Sequence, residues 1–383
     1  MALHFSKEEF SKRKINVLQS MKEQKLDAIL MFRQESMYWL TGYDTFGYVF
    51  FQTLVLDIKG NIILLTRAPD LRQAQNTSDI EDIRIWVDKD GSNPANDLKN
   101  ILEELSLKGK KIGVEYEAYG LTGRNALRLN KSLENFCSIE DQSELITKLR
   151  VIKSPEEIVY VKKAAELADL ALDQAWKYIR GGASEAKILA EMQKIVLEGG
   201  GDYPANEYII GSGQNALLCR YQSEKRILSN TDQLSIEWAG TYKHYHSAMF
   251  RTIPIGKTNS KHFKMHEACV EALKNCEKKL IPGNKIGEVF DIHAKTFDQL
   301  GYNKSRMNAC GYSLGSTFSP NWMDWPMLYA DNPYIVQPGN VFFMHMILMD
   351  SENQLAMNLG ETYLVKKNGN ERLGKQKLDL VTL

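Results

Sequence analysis

The first 140 or so residues alternate between amphipathic segments and short apolar runs. Apolar positions at a spacing of three and four residues predict helices, and continuous apolar runs bounded by turn residues predict strands. Strands that alternate with helices indicate an α/β domain with a mixed or parallel sheet. The predicted segments are helices at 10–24 and 95–107 and strands at 27–32, 48–57, 61–66, 83–87 and 111–115.

A new domain begins shortly before residue 150. Ser154-Pro155-Glu156-Glu157 combines an N-cap serine, a proline in the first helical position and a glutamate in the third, which predicts the start of a long helix. We therefore expect two domains, at residues 1–148 and 149–383, the second of them α+β. Its predicted segments are helices at 158–179, 184–198, 263–280 and 286–300 and strands at 207–210, 233–239 and 245–252.

Composition excludes several classes of protein. Lysine plus arginine and aspartate plus glutamate both total 48, so there is no basic excess for nucleic acid or an anionic membrane. No apolar run approaches the roughly 20 residues that a membrane helix needs, and the N-terminus lacks the apolar stretch of a signal peptide. The five cysteines have no CxxC spacing, which argues against a disulfide framework or a cysteine zinc site. We expect a cytoplasmic protein.

Several short motifs occur in an order that resembles the creatinase/aminopeptidase P superfamily. The resemblance implies a small N-terminal α/β domain and a catalytic α+β domain of the pita-bread type, and it extends over essentially the whole chain. The motifs are LRVIKSPEE (149–157), GSGQNA (211–216), YHSAMFRT (245–252), IPG (281–283), GYSLG (311–315), QPG (337–339) and ETYLV (361–365).

The chain departs from this superfamily at the metal ligands. Its peptidases hold two metal ions with two Asp, one His and two Glu, and a two-metal centre needs carboxylates that bridge the ions. The resemblance places these ligands, in chain order, on Glu237, Ala248, Tyr312, His345 and Gly360. With one carboxylate among five positions, we expect neither a metal nor another cofactor.

Metal-free members of the superfamily include creatinase, which hydrolyses a guanidinium group. Short segments are more similar to the ectoine hydrolases, which open a cyclic amidine: ALLCRY (216–221), GYSLG (311–315), PNW (320–322), FMH (343–345) and GET (360–362). The resemblance implies a metal-independent C–N hydrolase that converts ectoine or hydroxyectoine to an N-acetylated 2,4-diaminobutyrate. An amidinium carbon is already positively charged, so carboxylates and a proton-transfer group suit it better than a divalent cation.

Each catalytic candidate has an expected role. Glu237 pairs with the amidinium and either attacks its carbon or activates water, and His345 moves the proton between water and the departing ring nitrogen. Glu361 is expected to be a second carboxylate for the substrate N–H groups. We expect Tyr312 and His246 to orient or stabilise the tetrahedral intermediate.

A small zwitterionic substrate also needs a cation for its carboxylate and a wall for its ring. The candidate residues for these contacts are Arg220, Arg67, Phe46, Tyr48, Trp322 and Trp325. Resemblance to creatinase implies a homodimer in which the N-terminal domain of one subunit caps the site of the other, so the N-terminal candidates would act across the dimer. Arg251 is expected to form a structural salt bridge.

Other interpretations remain open. His244 and His246, two positions apart on a predicted strand, could form a three-histidine metal site with His345. Such a site would favour a residual Xaa-Pro metallopeptidase. The remaining alternatives are a hydrolase of creatine or a related guanidino or amidino acid, and a non-catalytic domain that binds peptides.

Overall fold

A computed structural model describes residues 3–257 and 259–383. Within these residues the chain divides into two compact units, and the division falls between Arg150 and Val151. The sequence pattern placed this boundary between residues 148 and 149. None of the described helices combines the length and the apolar character needed to cross a lipid bilayer.

The first unit is built on a mixed sheet of six strands. The strands are β1 (Ala28–Met31), β2 (Thr53–Asp57), β3 (Ile62–Arg67), β4 (Asp82–Trp86), β5 (Lys111–Val114) and β6 (Ser138–Asp141). Their order in the sheet is β4-β3-β2-β1-β5-β6, and β1 pairs antiparallel with β2 and parallel with β5. The helices are α1 (Lys7–Glu23), α2 (Gln34–Thr41), α3 (Leu71–Thr77), α4 (Pro94–Glu104), α5 (Gly123–Leu133) and α6 (Leu145–Arg150).

Apolar side chains cover both faces of this sheet, which explains why β1 reads as a continuous apolar run. Ala28 and Leu30 belong to one buried cluster with α4 and α5, whereas Ile29 and Met31 belong to a second cluster with α1 and α2. Every residue of β1 is buried.

The second unit contains an antiparallel sheet of eight strands. Its strands are β7 (Ile209–Ser212), β8 (Asp232–Tyr242), β9 (Tyr245–Ile255), β10 (Gly311–Ser313), β11 (Asp324–Met327), β12 (Val341–Asp350), β13 (Leu355–Lys366) and β14 (Gly369–Arg372). Their order in the sheet is β11-β10-β12-β13-β9-β8-β7, and β14 pairs with β13. Its helices are α7 (Pro155–Trp176), α8 (Glu185–Glu198), α9 (Ser260–Lys279) and α10 (Ile286–Gln299).

Helix α7 begins where the sequence predicts. The Ser154 hydroxyl accepts a hydrogen bond from the backbone N–H of Glu157 at 3.3 Å, and the Glu157 carboxylate accepts one from the Ser154 backbone at 2.9 Å. The helix then lies against β8, where Trp238 Nε1 donates to the Ala168 carbonyl at 3.0 Å. Gly240 allows this close approach, because a Cβ atom there would lie 1.9 Å from the Ala164 carbonyl oxygen.

Some helices and strands begin or end at other residues than the sequence predicts. The first predicted hairpin strand, 48–57, is shorter than expected, because Gly47–Val49 form a 3₁₀ turn and the strand itself begins at Thr53. The helices α2, α3, α5 and α6 were not predicted. Three of these four have no more than eight residues, too few to show a clear helical period.

Candidate active site

Strand register places four residues in a row across one face of the second sheet. Glu237 on β8 pairs with Phe250 on β9, Phe250 pairs with Gly360 on β13, and Gly360 pairs with His345 on β12. Directly paired residues of antiparallel strands project to the same face. Tyr312 on β10 shares this face, because it pairs with Phe343, two residues before His345. We call this side of the sheet the site face.

The Glu237 carboxyl is the acidic centre of the site face. Its Oε1 accepts a hydrogen bond from the Tyr312 hydroxyl at 3.1 Å. Burial raises the pKa of Glu237 from 4.5 to about 7, against the opposing effects of the Tyr312 hydrogen bond and the charge of Arg220. Such a carboxyl changes its protonation state at neutral pH, which suits a base or nucleophile.

Tyr312 is held in turn by Trp322. The indole Nε1 of Trp322 donates to the Tyr312 hydroxyl oxygen at 2.9 Å, so the single proton of that hydroxyl is available for Glu237. Burial, followed by the charge of Glu237, raises the pKa of Tyr312 well above its usual value, and the phenol therefore stays protonated. Tyr312 thus acts as a hydrogen-bond donor to the carboxylate.

His345 contributes a neutral imidazole to the same face. Its ring lies 5.7 Å from the Tyr312 ring and 5.6 Å from the Phe343 ring, measured between centroids. Burial lowers the pKa of His345 from 6.5 to about 4. Its Nδ1 atom is buried without a hydrogen-bond partner among the described residues. The imidazole of His345 is therefore neutral at pH 7.

The residues of the site face do not fit a two-metal centre. At Gly360, the position of the last metal ligand by resemblance, a Cβ atom would lie 2.6 Å from Phe343 Cζ and 2.9 Å from Phe250 Cβ. Both phenylalanines are fully buried. Aromatic rings therefore fill the space beside Gly360, and a longer side chain cannot enter it. Across residues 3–257 and 259–383, no group of three or more His, Cys, Asp or Glu side chains is arranged to hold a metal ion.

The three-histidine alternative is also a poor fit. His244 does not lie on a strand but in the two-residue turn between β8 and β9, where Lys243 and His244 have φ angles of 52° and 62°. Its ring stacks on Phe318 with centroids 4.2 Å apart. The sequence-based expectation that His244 and His246 lie on the same side of one strand is therefore wrong.

Glu361 faces away from the site, contrary to the sequence-based expectation. It is the neighbour of Gly360 on β13, so the pleat directs its side chain to the opposite face. There it is completely buried and forms an ion pair with Arg251. The predicted salt bridge of Arg251 is thus confirmed, whereas the predicted role of Glu361 as a second substrate carboxylate is wrong. A cavity of about 590 Å³ lies on this helix-covered side and is lined in part by Arg251, α7 and α9.

His246 shares the site face but cannot reach a substrate, which corrects its predicted role. The Ala205 backbone N–H donates to His246 Nε2 at 2.9 Å, so the ring proton must reside on Nδ1, which lies 3.1 Å from the Thr317 hydroxyl. Burial lowers the pKa of His246 to about 3. Both nitrogens are thus engaged by protein, and the imidazole is neutral and structural.

Trp322 also differs from the expected substrate wall. Its side chain is 1 % exposed, and its polar edge is directed at Tyr312. Trp325 is half-buried and packs edge-on against Tyr334, with ring centroids 5.3 Å apart. The structure does not bring Trp325 together with Glu237, and a substrate contact for it stays a prediction.

Arg220 lies in a loop, close enough for its charge to act on the Glu237 carboxyl, and its predicted contact with a substrate carboxylate stays a prediction. It is exposed, its Nη1 donates to the Cys219 carbonyl at 2.7 Å, and its charge opposes the rise in the pKa of Glu237. The Cys219 thiol shares this environment: burial and then the charge of Glu237 raise its pKa.

The remaining candidates belong to the first unit. Phe46 is exposed, and its ring lies 5.6 Å from that of the buried Tyr48. Arg67 forms an ion pair with Asp88 at 2.6 Å and lies over the Phe50 ring at 3.9 Å. Their predicted action across a dimer stays a prediction.

Sequence reasoning missed the aromatic residues Phe250 and Phe343 and the loop residues Asn206 and Thr317. A signal for Phe343 was present, because residues two apart on a strand share a face and Phe343 precedes His345 by two. The loop residues had no such signal, because their contacts are distant in sequence: Asn206 Oδ1 accepts from the Trp322 backbone N–H, 116 residues later, and Thr317 bonds to His246, 71 residues earlier.

Two regions of the chain match known protein families. Residues 160–367 match metallopeptidase family M24, and residues 13–152 match the creatinase/prolidase N-terminal domain. Among characterised relatives, ectoine hydrolase of Halomonas elongata is 25% identical, with 97% of each chain covered. The Xaa-Pro dipeptidase of Pyrococcus horikoshii is 26% identical over 95% of this chain and 97% of that protein.

Solved structures show the same architecture. A prolidase from Thermococcus sibiricus superposes with a TM-score of 0.87 and 20% identity, covering 98% of this chain and 99% of that one. An Xaa-Pro dipeptidase from Bacillus anthracis has a TM-score of 0.85 and 19% identity, with 98% and 100% covered. At these identities the likeness concerns the fold alone. It confirms the predicted α/β N-terminal domain followed by an α+β pita-bread domain.

Proposed function

Because this chain belongs to metallopeptidase family M24 but the part of it that the structure describes has no donor set for two metals, we propose that it is a metal-independent C–N hydrolase that opens a cyclic amidine. Ectoine or hydroxyectoine is the proposed substrate. The observation that carries the proposal is the Glu237 carboxyl, with its raised pKa and its hydrogen bond from Tyr312, on the same face of the sheet as the buried rings of Phe250 and Phe343.

The chemistry follows from the charge of the substrate. Water oxygen adds to the amidinium carbon, one ring C–N bond breaks, and the departing nitrogen gains a proton to become an amine. The amidine carbon becomes the carbonyl of an acetamide, and the product from ectoine is an N-acetylated 2,4-diaminobutyrate. A carbon that already carries delocalised positive charge does not need a Lewis acid to accept this attack.

Glu237 supplies the negative charge that this reaction needs. A bound amidinium favours the ionised carboxylate, which then either attacks the carbon directly or deprotonates the attacking water. Tyr312 donates to the carboxylate and fixes its orientation. In this proposal the neutral His345 imidazole exchanges a hydrogen bond and a proton with the departing ring nitrogen. Arg220 is the candidate partner for the substrate carboxylate.

The substrate is tested by incubating the purified protein with ectoine, hydroxyectoine, creatine and an Xaa-Pro dipeptide, followed by mass analysis of the products. We expect a gain of one water for ectoine or hydroxyectoine. Urea release from creatine would instead indicate a guanidino-acid hydrolase. Cleavage of the dipeptide alone would favour an Xaa-Pro dipeptidase, the activity named for several relatives, and would overturn the proposal.

The pH profile of kcat/KM is expected to rise with pH and to level off above a midpoint near 7. Below that pH the Glu237 carboxyl is protonated and can neither attack nor act as a base. Arg220→Gln removes a charge that lowers this pKa, so the midpoint moves to higher pH, by about half a unit. Lys225→Gln, on the same loop, is the control and leaves the midpoint unchanged. A midpoint below 5 in the unaltered protein would exclude Glu237 as the titrating base.

A further inference from the structure

Trp322 is fixed from three directions, although it sits in an irregular segment. Its backbone N–H donates to Asn206 Oδ1 at 3.0 Å, and its carbonyl accepts from the Thr317 hydroxyl at 3.4 Å. Its indole N–H donates to Tyr312 at 2.9 Å. A tryptophan bonded at both backbone groups and at its ring nitrogen has little freedom to move.

His246 joins the two segments that hold Trp322. Through Nε2 it accepts from the Ala205 backbone, next to Asn206, and through Nδ1 it donates to Thr317. Since a backbone N–H can only donate, the ring proton of His246 is on Nδ1 and points at the Thr317 hydroxyl, which donates to the Trp322 carbonyl. The Trp322 indole N–H, which can also only donate, points at the Tyr312 hydroxyl, and Tyr312 donates to Glu237. His246 and Thr317 thus fix the backbone of Trp322, and the Trp322 side chain fixes Tyr312.

We infer that His246 and Trp322 are positioning residues, which direct the Tyr312 proton onto the Glu237 carboxylate without touching the substrate. Both side chains are almost completely buried, so a substrate does not contact them. They act on Glu237 through their hydrogen bonds to neighbouring residues. The Trp322 N–H occupies one lone pair of the Tyr312 oxygen and polarises its hydroxyl, which strengthens the donation to Glu237. The inference rests on the proposed function only in taking Glu237 as the reactive carboxylate.

The test compares Trp322→Phe with Trp238→Phe. Trp238 is a matched control, because it is equally buried and also donates an indole N–H, at 3.0 Å to Ala168, but from the opposite face of the sheet. In Trp322→Phe the midpoint of the kcat/KM profile is expected to rise by about half to one pH unit, with a loss in kcat larger than the change in KM. Trp238→Phe leaves the midpoint unchanged.

A second measurement does not depend on turnover. The carbonyl stretch of a protonated carboxyl group that is present in the unaltered protein and absent in Glu237→Gln reports the titration of Glu237 by infrared spectroscopy. Its midpoint should rise in Trp322→Phe and not in Trp238→Phe. If no amidine is hydrolysed, the proposed function fails, but this titration still decides the positioning role.

His246→Phe provides an independent variant, because it keeps an aromatic ring and removes both hydrogen bonds. It is expected to shift the Glu237 midpoint in the same direction as Trp322→Phe, by a smaller amount. An unchanged infrared midpoint in both Trp322→Phe and His246→Phe, or an equal shift in Trp238→Phe, would overturn the inference.

Discussion

Glu237→Gln is expected to reduce turnover of a cyclic amidine about 10⁴-fold, the upper range for loss of a general base. The amide can still accept the Tyr312 hydrogen bond, so the site keeps its shape, but it can neither attack carbon nor take a proton from water. The measurement is kcat with ectoine at pH 8, where the unaltered carboxyl is ionised. Retention of more than about a tenth of the turnover would remove Glu237 from the mechanism.

The same variant is expected to be more stable than the unaltered protein at high pH. The folded protein raises the pKa of Glu237 from 4.5 to about 7, so it binds the proton more tightly than the unfolded chain does. The stability from this group is therefore complete below pH 4.5 and is lost as pH rises through 7. Glu237→Gln should gain on the order of 2 kcal/mol in unfolding free energy at pH 8 and nothing near pH 4. A gain of stability with loss of turnover is typical of a functional residue.

Glu361→Gln is expected to have the opposite consequences, a loss of stability with turnover retained. Glu361 is completely buried, and its Oε1 lies 3.8 Å from Arg372 in addition to its ion pair with Arg251. The neutral amide of the variant can still accept a hydrogen bond, but the buried Arg251 guanidinium then has only uncharged acceptors, among them the carbonyls of Phe250 and Gly360 at 2.8 and 2.9 Å. Removing one partner of a buried pair costs about 3 kcal/mol.

Denaturant unfolding of Glu361→Gln at neutral pH measures this loss, and kcat per folded molecule is measured in parallel. The double variant Arg251→Met with Glu361→Leu removes both charges and should recover most of the lost stability. A large loss of turnover in Glu361→Gln with unchanged stability would contradict this structural role and indicate that Glu361 takes part in catalysis.

The contrast between Glu237 and Glu361 shows how much of the site could be predicted from sequence. The ligand positions of the family indicated Glu237, Tyr312 and His345, and the register brings all three to one face. The sequence also contained the information that Glu361 lies on the opposite face. Its neighbour Gly360 occupies a ligand position, and successive residues of a strand alternate between the two faces.

Other features could not be predicted because they depend on tertiary contacts. The turn at Lys243 and His244 lacks the Asn-Gly or Gly-Gly pair that usually marks a two-residue hairpin turn. The backbone of Trp322 is held by a hydrogen bond to Asn206, more than a hundred residues earlier. The start of helix α7 was predicted correctly, because its N-cap serine, proline and glutamate are local in sequence.

Turnover of ectoine by protein stripped of metal tests the central claim most directly. The protein is treated with a chelator, its residual metal per chain is measured by mass spectrometry, and kcat is compared with that of the untreated enzyme. We predict the same kcat in both, with no increase on adding zinc or manganese. A loss of turnover on chelation that either metal restores would contradict hydrolysis by the Glu237 carboxylate alone.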